Sequence, residues 1–273
     1  QKEAVRYRSI EQRMDETGES QVSLTDPDAR SMATTARMPR IVGYNVQTAV
    51  EADHHLIVAH EVTMLGFDRD ALSMMAEAAN EVMTTDQLTA IADKGYYKGE
   101  EIVASEEAGI SVVVPKPMTS NAAARGQFDK ADFAYDRDKD VYVCPAGENL
   151  TYRFTGQQDG KALRSYWSGA CADCAIKGKC TTSKERRVRR WEKEDVLDQV
   201  QKRLDKDPAQ LAVRSMTVEH PYGTIKSWMG ATHFKMRTLK KVATEMALHV
   251  LAYNMTRAMN IMGIPAMIAA MKA

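Results

Sequence analysis

The feature that most constrains the fold is the run 44–115, where strand patterns and helical patterns follow each other in a regular order. Residues 44–50 alternate with a period of two, and residues 55–63 repeat this pattern after a turn, which predicts a β-hairpin. Residues 68–83 place apolar side chains at helical spacing. A strand, a helix and a second strand are predicted next, at 88–93, 99–108 and 109–115. This order predicts an α/β fold with a mixed sheet flanked by helices.

The rest of the chain suggests how this core is interrupted. Residues 1–40 are polar and poorly periodic, so they are predicted to be a separate N-terminal segment. Glycine and aspartate clusters and all four cysteines fall within 116–207, which predicts an inserted cysteine-rich subdomain. Helical character returns afterwards, including an apolar stripe over 239–262 that is expected to pack on the sheet. The predicted core is therefore 41–115 together with 208–273, with the insertion 116–207 between its two parts.

Charge is balanced overall but unevenly distributed. The 273 residues carry 37 basic and 37 acidic side chains, which excludes a basic, histone-like tail protein. A hydrophobic content of 44% fits a globular chain. Residues 51–107 contain thirteen acids and three bases, a balance of −10, whereas 179–257 contain seventeen bases and nine acids, a balance of +8. An acidic site and a basic binding surface are therefore both expected.

Membrane and secretory classes find no support in the sequence. The longest uncharged stretch near the C-terminus, 258–271, has 14 residues, and a spanning helix needs about 20. The first residues are charged and lack the apolar core of a signal peptide. Four cysteines without such a signal favour a reducing compartment. We therefore expect a cytoplasmic protein without a membrane partner.

Asp93 is the first candidate for chemistry. It follows the predicted strand 88–93 at the carboxyl end, where α/β sheets place their ligands, and precedes Lys94-Gly95-Tyr96. The alternative is an ordinary turn or helix-capping aspartate. Asp68 or Asp70, at the start of the predicted helix 68–83, is expected to be its N-cap or first-turn acid.

Glu219 is the second candidate. It precedes Lys226 by seven residues, about two helical turns, although Pro221 and Gly223 are expected to disturb the helix between them. The alternative is a surface ion pair. Five bases and no acid follow, with aromatic residues interleaved, which favours contact with a phosphate backbone. The bases are Lys226, Lys235, Arg237, Lys240 and Lys241.

Several segments, in this order, resemble bacterial insertion-sequence transposases of the DDE type. They are Tyr44-Asn45-Val46-Gln47, Ala92-Asp93-Lys94-Gly95-Tyr96, the cysteine-containing stretch, Val218-Glu219-His220-Pro221-Tyr222-Gly223-Thr224-Ile225-Lys226 and residues 243–263. The resemblance covers residues 23–263. It implies a ribonuclease H-like fold and a DNA transposase. Such an enzyme cleaves phosphodiesters at transposon ends and transfers the freed strand to target DNA, usually as a homo-oligomer.

The resemblance also implies roles for single residues. Asp93 and Glu219 match the family's metal-ligating carboxylates, which hold Mg²⁺ or Mn²⁺, and Lys226 matches the lysine that contacts transposon-end DNA. The family's arginine precedes the glutamate by four residues; here Arg214 stands one position earlier and is assigned to the same DNA contact. Hard oxygen ligands suit Mg²⁺, and two such ions stabilise the attacking and leaving oxygens of a phosphoryl displacement. When bound to DNA, the protein is expected at the bacterial nucleoid.

One expected motif has no counterpart. The family's first catalytic aspartate lies in an Asp-Gly-Thr motif on a strand before the hairpin, and this sequence has no such motif. Asp26 and Asp28 are weak substitutes, because the family has that Asp-Pro-Asp turn in addition to its first aspartate. The chain is therefore predicted to be the C-terminal portion of a transposase, with little strand-transfer activity alone. The rival interpretation is a non-catalytic, zinc-dependent DNA-binding or regulatory remnant.

Two further sets of residues are candidates for binding. Cys171-Ala-Asp-Cys174 is flanked by Cys144 and Cys180, which predicts a structural zinc site with four thiolate ligands. Free buried thiols are the alternative. Just after these cysteines, residues 184–193 hold six bases and two acids, for which either a solvated face or DNA-backbone contact is expected. The arginines of this run are Arg186, Arg187, Arg189 and Arg190.

Overall fold

The computed structural model describes residues 2–18, 21–32, 40–118 and 120–272. The chain forms two compact units: unit 1 comprises 1–115 with 200–273, and unit 2 comprises 116–199. Both contain helices and strands, so the mixed α/β class is confirmed. Part of the predicted polar N-terminal segment, 33–39, lies outside the described residues.

The elements follow each other along the chain as helices and mostly short strands. The helices are α1 (Lys2–Thr17), α2 (Leu72–Met83), α3 (Gly99–Glu107), α4 (Lys177–Cys180), α5 (Glu194–Lys206), α6 (Gln210–Gly223), α7 (Leu239–Met262) and α8 (Ile264–Ala270). The strands are β1 (Arg30–Met32), β2 (Ile41–Gly43), β3 (Asn45–Val50), β4 (Ile57–Thr63), β5 (Thr89–Ile91), β6 (Ser111–Val113), β7 (Ala134–Asp136), β8 (Val141–Val143), β9 (Asn149–Gln158), β10 (Lys161–Trp167) and β11 (Val188–Trp191).

Two helices lie where the sequence pattern gave no helical signal. Helix α1 occupies the segment that we interpreted as polar and poorly periodic. Its residues are mostly good helix formers, but few are apolar, so propensity and not periodicity is the signal that indicates it. Helix α5 begins within the stretch that the sequence assigned to the insertion.

The hairpin of β3 and β4 supports the core of unit 1. The two strands are antiparallel, and the Glu51 carboxylate holds their turn by accepting hydrogen bonds from the backbone N–H groups of Asp53, His54 and Leu56. Helix α7 packs on β4 through the predicted apolar stripe. The buried core residues here are Ile57, Val62, Ile225, Val242, Met246, Val250 and Tyr253.

The parallel pair β5–β6 is the second part of unit 1. Helix α3 connects the two strands, as a crossover between parallel strands requires. Among the described residues, β3 is hydrogen-bonded only to β4 and β5 only to β6, so the hairpin and the parallel pair are separate two-stranded sheets. The single mixed sheet predicted from the sequence is therefore not present in the described residues. One free strand edge remains on β3 and one on β5.

Unit 2 contains a continuous antiparallel sheet. Strands β7 to β11 are hydrogen-bonded in chain order, so each strand pairs with its nearest neighbour in sequence. One face of this sheet carries the core of the unit, which consists of Phe133, Tyr142, Leu150, Tyr166 and Val188. The Asp140 carboxylate accepts hydrogen bonds from Tyr135 Oη at 2.7 Å and Tyr166 Oη at 2.8 Å, which satisfies both buried phenols.

Candidate functional site

Asp93 lies just beyond the end of β5, as the sequence predicts. Its Oδ1 accepts a hydrogen bond from Gly95 N at 2.7 Å, so it also caps the short 3₁₀ turn Lys94–Tyr96. Its Oδ2 accepts from Arg214 Nη2 of α6 at 3.1 Å. The capping role and the site role therefore coexist in one carboxylate. The structure brings Asp93 and Arg214 together although 121 residues separate them in sequence.

Asp68, predicted as a helix-start residue, is a second carboxylate at this site. Asp68 Oδ1 accepts hydrogen bonds from Asn45 Nδ2 and Gln47 Nε2, both at 2.7 Å. A Cβ on Gly95 would lie 2.9 Å from Asp93 Oδ1 and 3.5 Å from Asp68 Oδ2, so the two carboxylates flank the same glycine. Glycine at this position leaves the space that both carboxylates use.

The predicted N-cap role of Asp68 and Asp70 is wrong. The N-cap of α2 is Ala71, which makes no side-chain capping bond. Asp68 binds two amide side chains of β3, and Asp70 pairs with Lys98 Nζ at 2.6 Å, so neither carboxylate turns toward the helix end. These tertiary partners lie more than twenty residues away in sequence, which is why a local pattern could not identify them.

Gln47 and Tyr96 connect β3 to the turn that follows β5. Gln47 is 2% exposed, and its amide oxygen accepts a hydrogen bond from Tyr96 Oη while its amide nitrogen donates to Asp68. Burial, with the nearby charge of Asp68, raises the pKa of Tyr96 well above its ordinary value. The phenol therefore stays protonated and keeps its role as donor. This chain of hydrogen bonds holds Asp93 and its turn against the hairpin.

A cavity of about 1110 Å³ opens beside these residues within unit 1. Residues of β3, α2 and β5 line it, as do residues of α6 and of the loop before α7. Asp68 and Asp93 lie in its wall, together with the cations Arg214, Lys226 and Arg237. The cavity wall therefore combines apolar side chains with charged side chains of both signs.

Glu219 is not part of this cavity wall. Glu219 is exposed, and its Oε1 accepts a hydrogen bond from Ser215 Oγ at 2.7 Å. The cavity is lined instead by Arg214, Val218 and Tyr222 of the same helix. In the described part of the chain no three or more His, Cys, Asp or Glu residues are grouped to hold a metal ion. As arranged, Asp93 and Glu219 therefore do not fit a shared cation.

The segment between Glu219 and Lys226 is a continuous helix with a local distortion. Helix α6 runs through Pro221 to Gly223 and continues as a π-helical turn, Thr224–Trp228. The disturbance expected from the proline and glycine thus takes the form of a widened turn and not of a break. Lys226 is exposed, and its ammonium lies 5.4 Å from the Tyr222 ring centroid.

The remaining basic candidates of unit 1 lie on the surface. Lys235 and Arg237 are exposed, and the segment around them is anchored because Glu245 accepts hydrogen bonds from the backbone N–H groups of Lys235 and Met236. Trp228 is 88% exposed, so an aromatic ring lies in solvent close to Lys226 in sequence. Exposed cations and an exposed tryptophan in one segment are typical of nucleic-acid surfaces.

Asp26 and Asp28 have a structural role. Asp26 Oδ1 accepts from the backbone N–H of Thr238 at 3.1 Å, and Asp28 Oδ2 accepts from that of Leu239 at 2.9 Å. Tyr44 Oη donates to Asp26 Oδ2 at 2.8 Å. The two carboxylates therefore satisfy free donors at the start of α7, where a negative charge is also stabilising.

The four arginines in β11 and in the residues just before it differ in their exposure. Arg190 is 4% exposed, lies 3.9 Å from the Tyr135 ring centroid and pairs with Asp195 and Asp198. Arg186 lies over the Phe133 ring at 5.3 Å. Arg187 and Arg189 are exposed. Strand alternation thus places Arg190 inside unit 2 and Arg189 in solvent, whereas Arg186, before the strand, is partly buried.

The four cysteines are free thiols in unit 2, all partly exposed. Burial raises the pKa of the Cys180 thiol, Arg186 opposes this shift, and the other three cysteines add to it. They do not form a metal-ligand group, as noted above for the described residues. The predicted zinc site is therefore unsupported. Cys144 and Cys180 pack against the core of the unit, as free thiols often do.

Comparison with known families gives one match. Residues 143–259 match the family model of the transposase DDE domain, which confirms the resemblance found in the motifs. The matched range includes Glu219 and Lys226 and begins after Asp93. No curated protein and no solved structure matches the chain. None of the helices in the described residues is both long and apolar enough to span a membrane.

Proposed function

We propose that this chain acts in DNA transposition as the core of an insertion-sequence transposase that binds double-stranded DNA at transposon ends. The family match supports a transposase function. The observation that carries the proposal is the contact between Asp93 and Arg214. It joins the Asp-Lys-Gly-Tyr motif to the helix that holds the glutamate and the lysine of the second motif, although only that helix lies in the matched range.

The proposed fold is ribonuclease H-like, and the free strand edges support it. Side chains of β3 and β5 line the same cavity, and neither strand has a second neighbour among the described residues. One further strand between them would hydrogen-bond to both and join the hairpin and the parallel pair in one mixed sheet. The resemblance places a strand with the first catalytic aspartate before the hairpin, and its end would lie near Asp93 in such a sheet.

The basic residues of unit 1 are proposed to hold the DNA backbone. Lys226 and Arg237 line the cavity, and Lys235 lies on the same loop as Arg237. Arg214 is proposed to shift between Asp93 and a phosphate oxygen, because a guanidinium binds either anion with parallel hydrogen bonds. Asp93 and Glu219 stay the predicted ligands of Mg²⁺ or Mn²⁺, an ion that would supply charge neutralisation for phosphodiester cleavage. To hold one ion together, both carboxylates would have to leave their present partners, Arg214 and Ser215.

A second candidate function is a non-catalytic DNA-binding or regulatory protein. The arrangement of the carboxylates favours it, because Arg214 pairs with Asp93 and Ser215 with Glu219, so the two acids do not face one ion. Duplex binding is expected under both candidates, whereas cleavage is expected only from a complete transposase site. Assembly as a homo-oligomer and association with the nucleoid stay predictions.

Duplex binding and cleavage separate the candidates. Purified protein is titrated with a labelled duplex that carries the inverted repeats flanking its gene, at several salt concentrations, with Mg²⁺ or Mn²⁺ present. We expect salt-sensitive binding that Lys226→Gln weakens by about tenfold, and little strand transfer. Lys272→Gln, a cation of the C-terminal end, is the control. Absence of duplex binding would overturn both candidates, and efficient cleavage that Asp93→Asn abolishes would exclude the non-catalytic one.

A further inference from the structure

One face of the unit 2 sheet combines aromatic and basic side chains that the candidate site does not use. The pairing register places Phe154, Ser165 and Arg189 in one row across three strands, and Gly156, Leu163 and Trp191 in the next. Residues that are directly opposite share a face. We call this surface the aromatic face. Its aromatic members are Phe154, Trp167 and Trp191, and its basic members are Arg153, Lys161, Arg187 and Arg189.

The ring of Phe154 lies flat along this face. A Cβ on Gly156 would be 3.4 Å from Phe154 Cε2, so the ring covers the glycine two residues away on its own strand. The edge of Trp167 meets it at a centroid distance of 5.9 Å. Phe154 nevertheless stays 48% exposed, because nothing covers the outer side of the ring among the described residues. The result is an exposed phenylalanine ring supported by Gly156 and Trp167.

Cations surround the rings of this face at short range. The guanidinium groups of Arg153 and Arg187 lie 5.6 Å and 4.7 Å from the Trp167 ring centroid, and Lys161 Nζ lies 5.2 Å from that of Trp191. Glu185 neutralises part of this charge by pairing with Arg187 at 2.8 Å. Arg189 is exposed and donates to the neutral Gln158 side chain at 2.5 Å. Three guanidinium groups, those of Arg153, Arg187 and Arg189, therefore lie on this face, and Glu185 pairs with one of them.

We propose that the aromatic face binds unpaired bases of single-stranded DNA. Bases stack on exposed rings whatever their sequence, and neighbouring cations follow the phosphates of the same strand. A ring that lies flush with a sheet cannot reach bases that are stacked inside a duplex, so the bases it binds have left the stack. The proposal rests on the proposed function, because both take DNA as the partner. It adds single-stranded DNA to the duplex, and the aromatic face of unit 2 to the basic residues of unit 1.

The chain offers a matched control on the same strand. Tyr152 is 41% exposed, but it lies on the opposite face, where its ring centroid is 6.0 Å from that of the core residue Tyr166. Phe154→Ala and Tyr152→Ala thus remove similarly exposed rings from the two faces of one strand. Arg137, whose side chain is 73% exposed, is the corresponding charge control for Arg189→Gln.

The test measures binding of the full 273-residue protein to labelled oligo(dT) of about 20 nucleotides and to a duplex of equal length, by fluorescence anisotropy. We expect Phe154→Ala to weaken oligo(dT) binding about tenfold and to leave duplex binding within about twofold. Tyr152→Ala and Arg137→Gln should change neither affinity. Circular dichroism of each variant checks that the sheet is folded.

A spectroscopic measurement reports stacking directly. In a Trp228→Phe background the exposed tryptophan of unit 1 is removed, so the remaining emission comes from Trp167 and Trp191. Oligo(dT) should quench this emission, and Phe154→Ala should shift the quenching to higher concentrations. Duplex binding without oligo(dT) binding, or equal losses for Phe154→Ala and Tyr152→Ala, would overturn the inference alone. Failure to bind either DNA would overturn the inference and the proposed function.

Discussion

The two units join their strands in different ways. In unit 2 five strands are hydrogen-bonded in chain order through their backbones. In unit 1 side chains replace backbone pairing: Tyr96, in the turn after β5, donates to Gln47 of the hairpin. Asp68 binds the same glutamine from the loop before α2, and Tyr222 Oη of α6 donates to the carbonyl oxygen of Val46 at 2.9 Å. Pairing between sequence neighbours completes the sheet of unit 2. In unit 1 the two strand pairs are not hydrogen-bonded to each other through their backbones, and a cavity lies beside them. The open arrangement is the one that holds Asp93.

The largest expected effect tests the packing of the continuous sheet. Tyr166 is fully buried at the centre of the unit 2 core, so Tyr166→Ala should lower the free energy of unfolding by about 4 kcal/mol. Urea unfolding followed by tryptophan fluorescence measures it. Tyr152→Ala on the same hairpin should cost less than about 1 kcal/mol, because that ring is half exposed. Equal losses for the two variants would show that the core of unit 2 lies elsewhere.

An intermediate effect tests the side-chain connection in unit 1. Asp68→Ala removes the acceptor of Asn45 and of the buried Gln47 amide, which should cost about 2 kcal/mol. Asp70→Ala, which loses a half-exposed pair with Lys98, is the control and should cost less than about 1 kcal/mol. Chemical denaturation measures both variants. A neutral Asp68→Ala would mean that the strand pairs do not depend on this network.

The smallest effect concerns pH, to which the units should respond differently. All six histidines belong to unit 1, and all four cysteines to unit 2. Burial, with the charges of Arg257 and His55, lowers the pKa of His220 below its ordinary value of 6.5. Below about pH 6.5 the unfolded chain therefore takes up a proton more readily than the folded one, and stability falls as pH decreases.

His220→Gln should reduce this loss slightly, as thermal unfolding between pH 7.5 and about 5.5 would measure. His233→Gln, at an exposed residue, should leave the pH dependence unchanged. A steeper dependence in His220→Gln would contradict the assignment. If the pH dependence of unfolding were seen only in the fluorescence of Trp167 and Trp191, the titrating group would belong to unit 2, which has no histidine.

Much of the core of unit 1 could be predicted from periodicity. The strands at 45–50 and 57–63, helix α2 and helix α7 lie where alternation or helical spacing indicated them. These patterns reflect which face of each element is buried, so they can be recognised within a short stretch of sequence. Helix α1 was missed because a polar helix has no apolar stripe. The single sheet was not found because strand neighbours depend on contacts that no local pattern records.

The candidate site divides in the same way. Asp93 was identified from its position after a strand, and its neighbour Arg214 was assigned to DNA from the resemblance. Asp68 was taken for a helix cap, since its partners Asn45 and Gln47 lie on another strand. Among the basic residues of β11, alternation within a strand was the available signal. It separates the inward Arg190 from the outward Arg189, and a count of charges alone cannot do so.

The sequence by itself determined the elements, the motifs and the family to which residues 143–259 are matched, because these depend on the order of side chains along the chain. Only the tertiary structure decided which charges meet. It paired Asp93 with Arg214, turned Glu219 toward Ser215, and placed Arg190 in a core and Arg189 in solvent. The physical reason is that hydrogen bonds and ion pairs depend on distances of about 3 Å, which packing sets between residues far apart in sequence.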